Sequence, residues 1–352
     1  MSLPAAARPS RDVHILRDLA APRWDAYVES HPEATGYHLY GWRHVIERAF
    51  GHETCYLAAY EDGHIAGLLP LVVFRSRLFG RFLVSMPFLN YGGVLADDEE
   101  VARVLVEAAV AEARRYGARW VELRHTRRLC PGLHAKEHKV AMRLRLEASP
   151  DAQWDALDRK VRNQVRKADK NGLTVVSGGR GLLGGFYDVF ARNMRDLGTP
   201  VYGRGFFEEV LDVFPDRSRV FAVEHGGRVV AGAIVFRWRR TLEVPWASSL
   251  RAFNHLCANI RLYWEMIRHA VASGCWVFDF GRSTPDEGTF HFKKQWGAEP
   301  SPLVWEYWTA DGVAVPDLSP KNARFRTAIA VWKRLPVPVT RMIGPAIVRN
   351  IP

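Results

Sequence analysis

Cysteine is scarce in this chain of 352 residues, and the few present form no pattern. Cys55, Cys130, Cys257 and Cys275 stand far apart with no C-x-x-C pair. That spacing argues against a disulfide framework or a redox dithiol and predicts free thiols in a reducing compartment. Long apolar runs are missing too: no stretch of ~18 apolar residues offers a transmembrane helix. The opening MSLPAAARPSRDVHILRDL lacks the apolar core of a secretory signal, so a cytoplasmic protein is expected. The thirteen histidines form no recognisable His/Cys ligand set, and no metal is expected. No G-x-S-x-G and no Walker sequence occur, which leaves serine hydrolases and P-loop enzymes without support. Acid is absent from Ser319 to Pro352, where Lys321, Arg324, Arg326, Lys333, Arg334, Arg341 and Arg349 all lie. These seven cations account for most of the net charge of +11 and leave +4 for the rest. A uniformly nucleic-acid-like surface therefore does not follow from the charge.

What is present is ordinary globular protein, 48% hydrophobic and 25% charged, long enough for two domains. Twelve Trp point to large aromatic cores or apolar pockets. The stretch Val277–Pro300, VFDFGRSTPDEGTFHFKKQWGAEP, concentrates the chemistry. Phe278 and Phe280 flank Asp279 at strand spacing, which turns the acid to the opposite face. Thr284 to Gly288 is turn chemistry, and the following loop sets Lys293 and Lys294 among Phe292 and Trp296.

Two parts of the chain read alike. Tyr56 to Phe74 and Val220 to Trp238 are each a strand, a Gly-containing turn and a second strand entered through Ala-Gly. Further on, a helical pattern over Val101–Tyr116 closes at Gly117 before the strand Arg119–Arg124. Its counterpart over Asn259–Ser273 closes at Gly274 before Trp276–Phe280. Glu122 and Asp279 take matching places in the two strands. The copies lie about 160 residues apart, one domain's length. Two similar α/β (α+β) domains are predicted, 1–148 and 149–318, with a basic amphipathic tail over 319–352.

This order of elements resembles the GNAT acyltransferase domains, and a tandem pair of them resembles the FemA/FemB peptidyl transferases. The resemblance rests on Phe292-Lys293-Lys294-Gln295-Trp296-Gly297 and on the basic helix around Arg159–Ala168. The block Phe278–Ser283 looks like FemAB-related proteins associated with exopolysaccharide and exosortase (PEP-CTERM) systems. The resemblance implies mixed central sheets flanked by helices and transfer of an aminoacyl or acyl group to an amine. The acceptor implied is a saccharide- or peptide-bearing envelope precursor, lipid-linked in one version. No tightly bound cofactor is implied; the donor is either aminoacyl-tRNA or acyl-CoA. The usual acetyl-CoA loop, R-x-x-G-x-G/A before a helix, uses backbone N–H groups to cradle pyrophosphate. The matching Ser248–Asn259 has no glycine, which weighs against coenzyme A. An acyl-CoA-dependent enzyme acting on a small amine and a non-catalytic scaffold are the competing readings.

Lys293 is the first catalytic candidate, because a positioned cation stabilises the oxyanion of aminolysis. Asp279 is the second, either as general base or as an ion-pair partner of Arg282 that orders the loop. Phe292 would line the channel or belong to a core, and Arg282 would bind a phosphate or carboxylate through its planar fork. A helix over Asp155–Lys170 would carry Arg159, Arg162, Arg166 and Lys170 as one basic stripe, for phosphates or simply for solvent. Asn90, Tyr91, Tyr202, Trp246 and Asn259 complete the substrate-binding candidates. The tail would lie on an anionic inner-membrane face or pack over the first domain.

Overall fold

The structure is a computed structural model describing residues 12–77, 79–317 and 325–352. Its first half contains β1 (Val13–Leu16), α1 (Ala21–Ser30), α2 (Gly41–Phe50), β2 (Glu53–Glu61), β3 (His64–Ser76), β4 (Gly80–Ser85) and β5 (Leu95–Ala96). Then come α3 (Glu99–Arg115), β6 (Trp120–His125) and β7 (His134–Arg145). The second half begins with α4 (Pro150–Ala156), α5 (Arg159–Lys170), β8 (Thr174–Gly178), α6 (Leu183–Leu197) and α7 (Arg204–Val213). It continues through β9 (Ser218–His225), β10 (Arg228–Trp238), β11 (Thr241–Ser249), α8 (Ala258–Ala272), β12 (Val277–Ser283), α9 (Gly288–Lys294) and β13 (Glu299–Thr309). The tail forms α10 (Arg326–Trp332) and α11 (Val337–Val348).

The repeated elements stand where the sequence predicts them. β2–β3 and β9–β10 are antiparallel hairpins. Helix α3 starts on Asp98, whose carboxylate accepts from the amides of Glu100 and Val101, and Arg114 and Arg115 occupy its last turn. Both features complement the helix dipole. The parallel pairs match as well: Val84 sits opposite Glu122 between β4 and β6, and Glu243 opposite Asp279 between β11 and β12.

The two halves share one sheet, in the order β1-β2-β3-β4-β6-β13-β7-β12-β11-β10-β9-β8, with β5 off β3. The strands at its centre are exchanged. β13, from the end of the second half, pairs with β6, while β7, from the end of the first, pairs with β12. β7 and β13 then pair with each other. One face of the sheet carries a core common to both halves, including Trp24, Trp42, Phe74, Phe186, Phe206 and Phe236. The other face divides into a core with α3 in the first half and one with α5 and α8 in the second. Helices α2 and α7 meet closely. A Cβ on Gly41 would stand 2.7 Å from Val213 and 2.8 Å from Phe214, so only glycine permits this approach. Trp42, fully buried, packs at a tilt against Phe214 and Phe236 across the two halves. Burying a side chain of this size stabilises by roughly 3 kcal/mol.

Three local expectations change. The helix predicted over Asp155–Lys170 is two helices, because Asp158 caps α5 by accepting from the Lys160 amide. The expected loop around Lys293 is the short helix α9. The tail packs mainly on the second half: Arg341 pairs with Asp188 on α6, and Arg195 donates to the Leu335 carbonyl at 2.9 Å. His52, bonded to the Arg349 carbonyl at 2.7 Å, ties the tail's end to the first half. Lys321 and Arg324 lie outside the described residues.

Candidate active site

The site begins where β11 and β12 part. They pair only from Thr241↔Val277 to Glu243↔Asp279. Just beyond, each strand carries an irregularity in its other pairing. On β11, Val244 and Pro245 stand against the single residue Val235 of β10. On β12, Phe280 and Gly281 stand against Met142 of β7. Such bulges bend a strand and increase its twist. Two of them at one level open a cleft between parallel neighbours. Gly281 has φ +71°, and a Cβ there would meet Asn90 Nδ2 and the Val244 carbonyl oxygen, each at 3.2 Å.

Lys293 holds the second bulge. Its buried Nζ donates to the carbonyls of Gly281 at 3.0 Å and Arg282 at 2.9 Å. An ammonium has three donors, so one remains for a ligand. Burial pulls Lys293 down to about 8, with the Arg282 cation adding to the effect.

Asp279 is fully buried at the fork. It accepts from the Gly281 amide at 2.8 Å and from Arg143 Nε at 3.1 Å, and Tyr91 Oη lies 3.3 Å away. Its ion-pair partner is therefore Arg143 of the exchanged strand β7. The alternative pairing with Arg282 is not made, because the bulge carries Arg282 to the next register position, opposite Ala141. Beside Asp279 lies a carboxylate that the sequence reading passed over. Glu243 is buried, accepts from Asn90 Nδ2 at 2.6 Å and lies 2.9 Å from Tyr91 Oη. Burial, with the Asp279 charge beside it, pushes Glu243 up to about 8. Tyr91 has one hydroxyl proton for two carboxyls. With Glu243 protonated the bonding closes: Glu243 donates to Tyr91 Oη, and Tyr91 donates to Asp279. A signal for Glu243 was there, an acid between Leu242 and Val244 in an apolar strand, as Asp279 lies between Phe278 and Phe280.

Lys293, Asp279, Asn90 and Tyr91 thus meet at one place, fed by both halves. A cavity of about 360 Å³ adjoins it, with Asp279, Tyr91, Arg143, His38 and Gly93 in its wall. The other candidates lie around this centre or away from it. Arg282 is exposed, and its guanidinium lies 5.1 Å from the Trp305 ring. Tyr202 packs on Phe206 and Phe88 in the common core, where Trp246 meets Phe206 and Phe207 edge-on. Phe292 packs against Tyr263 and Trp296 beside the second-half core. Arg162 stands 3.9 Å from Asp155, and Arg166 lies over Trp154, so part of the basic stripe is engaged locally. Asn259 is half-buried in the first turn of α8.

The equivalent fork in the first half is filled by its own chain. Ser85 Oγ accepts from the Arg124 amide at 2.8 Å, and the Gly92 amide donates to the Arg124 carbonyl at 3.1 Å. The buried Arg124 guanidinium bonds Glu122 at 2.8 Å and the Leu89 carbonyl at 3.0 Å.

Residues 157–294 match the family model described as an acetyltransferase (GNAT) domain. This part of the chain is thus similar to a GNAT domain. Among solved structures, FemX superposes with a TM-score of 0.65 at 16% identity, over 83% of this chain and 96% of FemX. A tandem GNAT protein from the clavulanic acid biosynthesis pathway gives 0.54 at 13% identity, covering 87% and 100%. The C-terminal domain of a putative lysylphosphatidylglycerol synthetase from Agrobacterium fabrum gives 0.55 at 13%, covering 82% and 90%. At these identities the likeness is one of fold, and it establishes the GNAT fold for the chain as a whole. No curated protein matches it by sequence.

Proposed function

We propose that the protein is an acyltransferase that joins an acyl or aminoacyl group to an amine, with its reaction site at the β11–β12 fork. The observation that carries this reading is the cleft itself, opened by two bulges, braced by Lys293 and flanked by two buried carboxyls. The amine attacks the acyl carbonyl, a C–N bond forms, and the oxyanion takes the free donor of Lys293. Asp279, beside the protonated Glu243, takes the proton from the attacking nitrogen. The C–O or C–S bond to the donor then breaks, and the leaving group takes that proton. Positioning supplies the rest, so no nucleophilic side chain is required.

Charged tRNA is the preferred donor, because the segment before α8 lacks the glycines of an acetyl-CoA loop and begins its helix at Cys257 in left-handed backbone. Coenzyme A thioesters are the second reading, supported by the acetyltransferase model that matches this half. The acceptor we infer is an amine on an envelope precursor bearing saccharide or peptide, in keeping with the FemX-like fold and the exopolysaccharide-associated resemblance of Phe278–Ser283. Among the described residues no helix is long and apolar enough to cross a membrane. A peripheral contact suits the exposed Val331 and Met342 beside Arg326, Lys333 and Arg334. The test is a donor screen: purified protein with charged tRNAs and with acyl-CoAs, read by mass spectrometry over candidate amines. Transfer from neither donor class would overturn the proposal. Cosedimentation with anionic but not neutral vesicles checks the membrane contact.

A further inference from the structure

Among the described residues Arg282 forms no ion pair. Among the described residues no carboxylate lies within ion-pair distance of it and no hydrogen bond engages its guanidinium; its one contact of note is the Trp305 ring at 5.1 Å. It is open to solvent and stands close to Arg124 and Tyr202. Arg124 lies over the same indole at 4.5 Å, with its own charge met by Glu122. His138 stands edge-on to Trp305 at 5.6 Å, and Lys136 and Lys139 lie near it. The Trp305 Nε1 is buried and has no hydrogen-bond partner. Crowding by protein and by Arg124 brings the Arg282 guanidinium down to about 10, still charged at neutral pH. Arg282 thus stands among several cations with Glu122 as the nearest acid acting on it, and an incoming anion would relieve the repulsion.

We propose that Arg282 and Trp305 form a subsite for an anionic group of the acceptor, a phosphate or a carboxylate gripped by the guanidinium fork. The stack on Trp305 holds the fork in place before binding, which limits the ordering cost. The position favours acceptor over donor. The fork of the cleft lies between β12 and β11, whereas Arg282 pairs with Ala141 of β7 and reaches Trp305 of β13, on the opposite edge of β12. Its own carbonyl accepts from Lys293 Nζ at 2.9 Å, so an anion held there stands one arginine side chain from the reaction site. This assignment rests on the transferase reading for the ligand's role as acceptor, but not for its binding.

The test is therefore made without donor. Phenyl phosphate and benzoate, sharing one aromatic body, are titrated calorimetrically into the full-length protein. Saturable binding of phenyl phosphate identifies a phosphate subsite, and of benzoate a carboxylate subsite. In either case Arg282→Gln weakens binding at least tenfold and Arg282→Lys by less, because the charge stays and the fork is lost. Arg75→Gln, a remote surface change, binds as wild type. Binding of neither probe, or equal binding by Arg282→Gln with an unchanged circular dichroism spectrum, overturns the subsite. Probe binding at Arg282 in a protein that transfers from no donor keeps the subsite and sinks only the transferase reading.

Discussion

Replacing Lys293 by methionine separates catalysis from bracing. Methionine approximates the length of the stem and removes the charge and the two bonds to Gly281 and Arg282. Bonds from a charged donor contribute about 1.5–3 kcal/mol each. Against that, burial lowers Lys293 from 10.5 to about 8, which costs the charged form roughly 3 kcal/mol at neutral pH. Two bonds give about 3–6 kcal/mol against roughly 3, so the variant should unfold within about 3 kcal/mol of wild type. Sign and pH follow from the depressed value. Wild type gains stability relative to the variant as pH rises from about 8 toward 10.5, where the unfolded chain keeps a proton that the folded one has lost. Catalysis has no such offset. Loss of an oxyanion donor lowers turnover by about 10²–10³. The assay is steady-state transfer with the donor found in the screen, beside urea unfolding at pH 7 and pH 10. A fall in kcat at unchanged KM with near-native stability is expected. Turnover within tenfold of wild type would refute the catalytic role, and a stability loss well beyond about 3 kcal/mol would make Lys293 chiefly a brace.

Glu243→Gln tests the shared proton. A carboxyl raised to about 8 in the fold contributes stability that is present below pH 4.5 and is lost as pH rises to about 8. The glutamine variant should lose that decline and exceed wild type in thermal unfolding at pH 8, and a parallel pH dependence in both proteins would refute it. Gly281→Ala should lower stability by about 1–2 kcal/mol through its left-handed backbone; denaturant unfolding measures it. Cutting the chain after residue 148 should yield fragments that fail to fold singly and recover on co-expression, because β7 pairs with β12 and β13 across the cut. Two separately soluble, cooperatively melting fragments would contradict this.

Local pattern was legible because it depends on neighbours in the chain. The hairpins, the glycine-closed helices and the placement of Asp279 on the face opposite Phe278 and Phe280 all follow from spacing. The matched places of Glu122 and Asp279 reappear in the sheet register. What escaped was set by pairing between distant strands. Arg143 reaches Asp279 from a strand that leaves the first half to join the second, and no periodicity reports that. Asn90 and Tyr91 stand out in the sequence only as binding candidates, whereas their side chains bond carboxyls more than 150 positions away. Asp158 was read as a helix interior because the basic stripe ran through it; as a cap it ends one helix and begins another.

The strand exchange also bears on why, of two similar forks, one is filled and one is open. In each half the fork opens where parallel strands part beyond a buried acid, Glu122 in the first and Asp279 in the second. The first fork is closed by Ser85 and the 86–92 loop, whose carbonyls hold Arg124. That same loop continues into Asn90 and Tyr91, which cross to the second fork and bond its carboxyls. The segment that fills one cleft therefore furnishes the other. Loosening it should act at a distance. Ser85→Ala leaves the buried Arg124 amide unpaired, a cost of about 1–3 kcal/mol at the first fork. If the loop transmits that change, transfer at the second fork falls with it, although Ser85 touches no group of the site. Unchanged kcat in a destabilised Ser85→Ala protein would show that the loop is held from the second half alone.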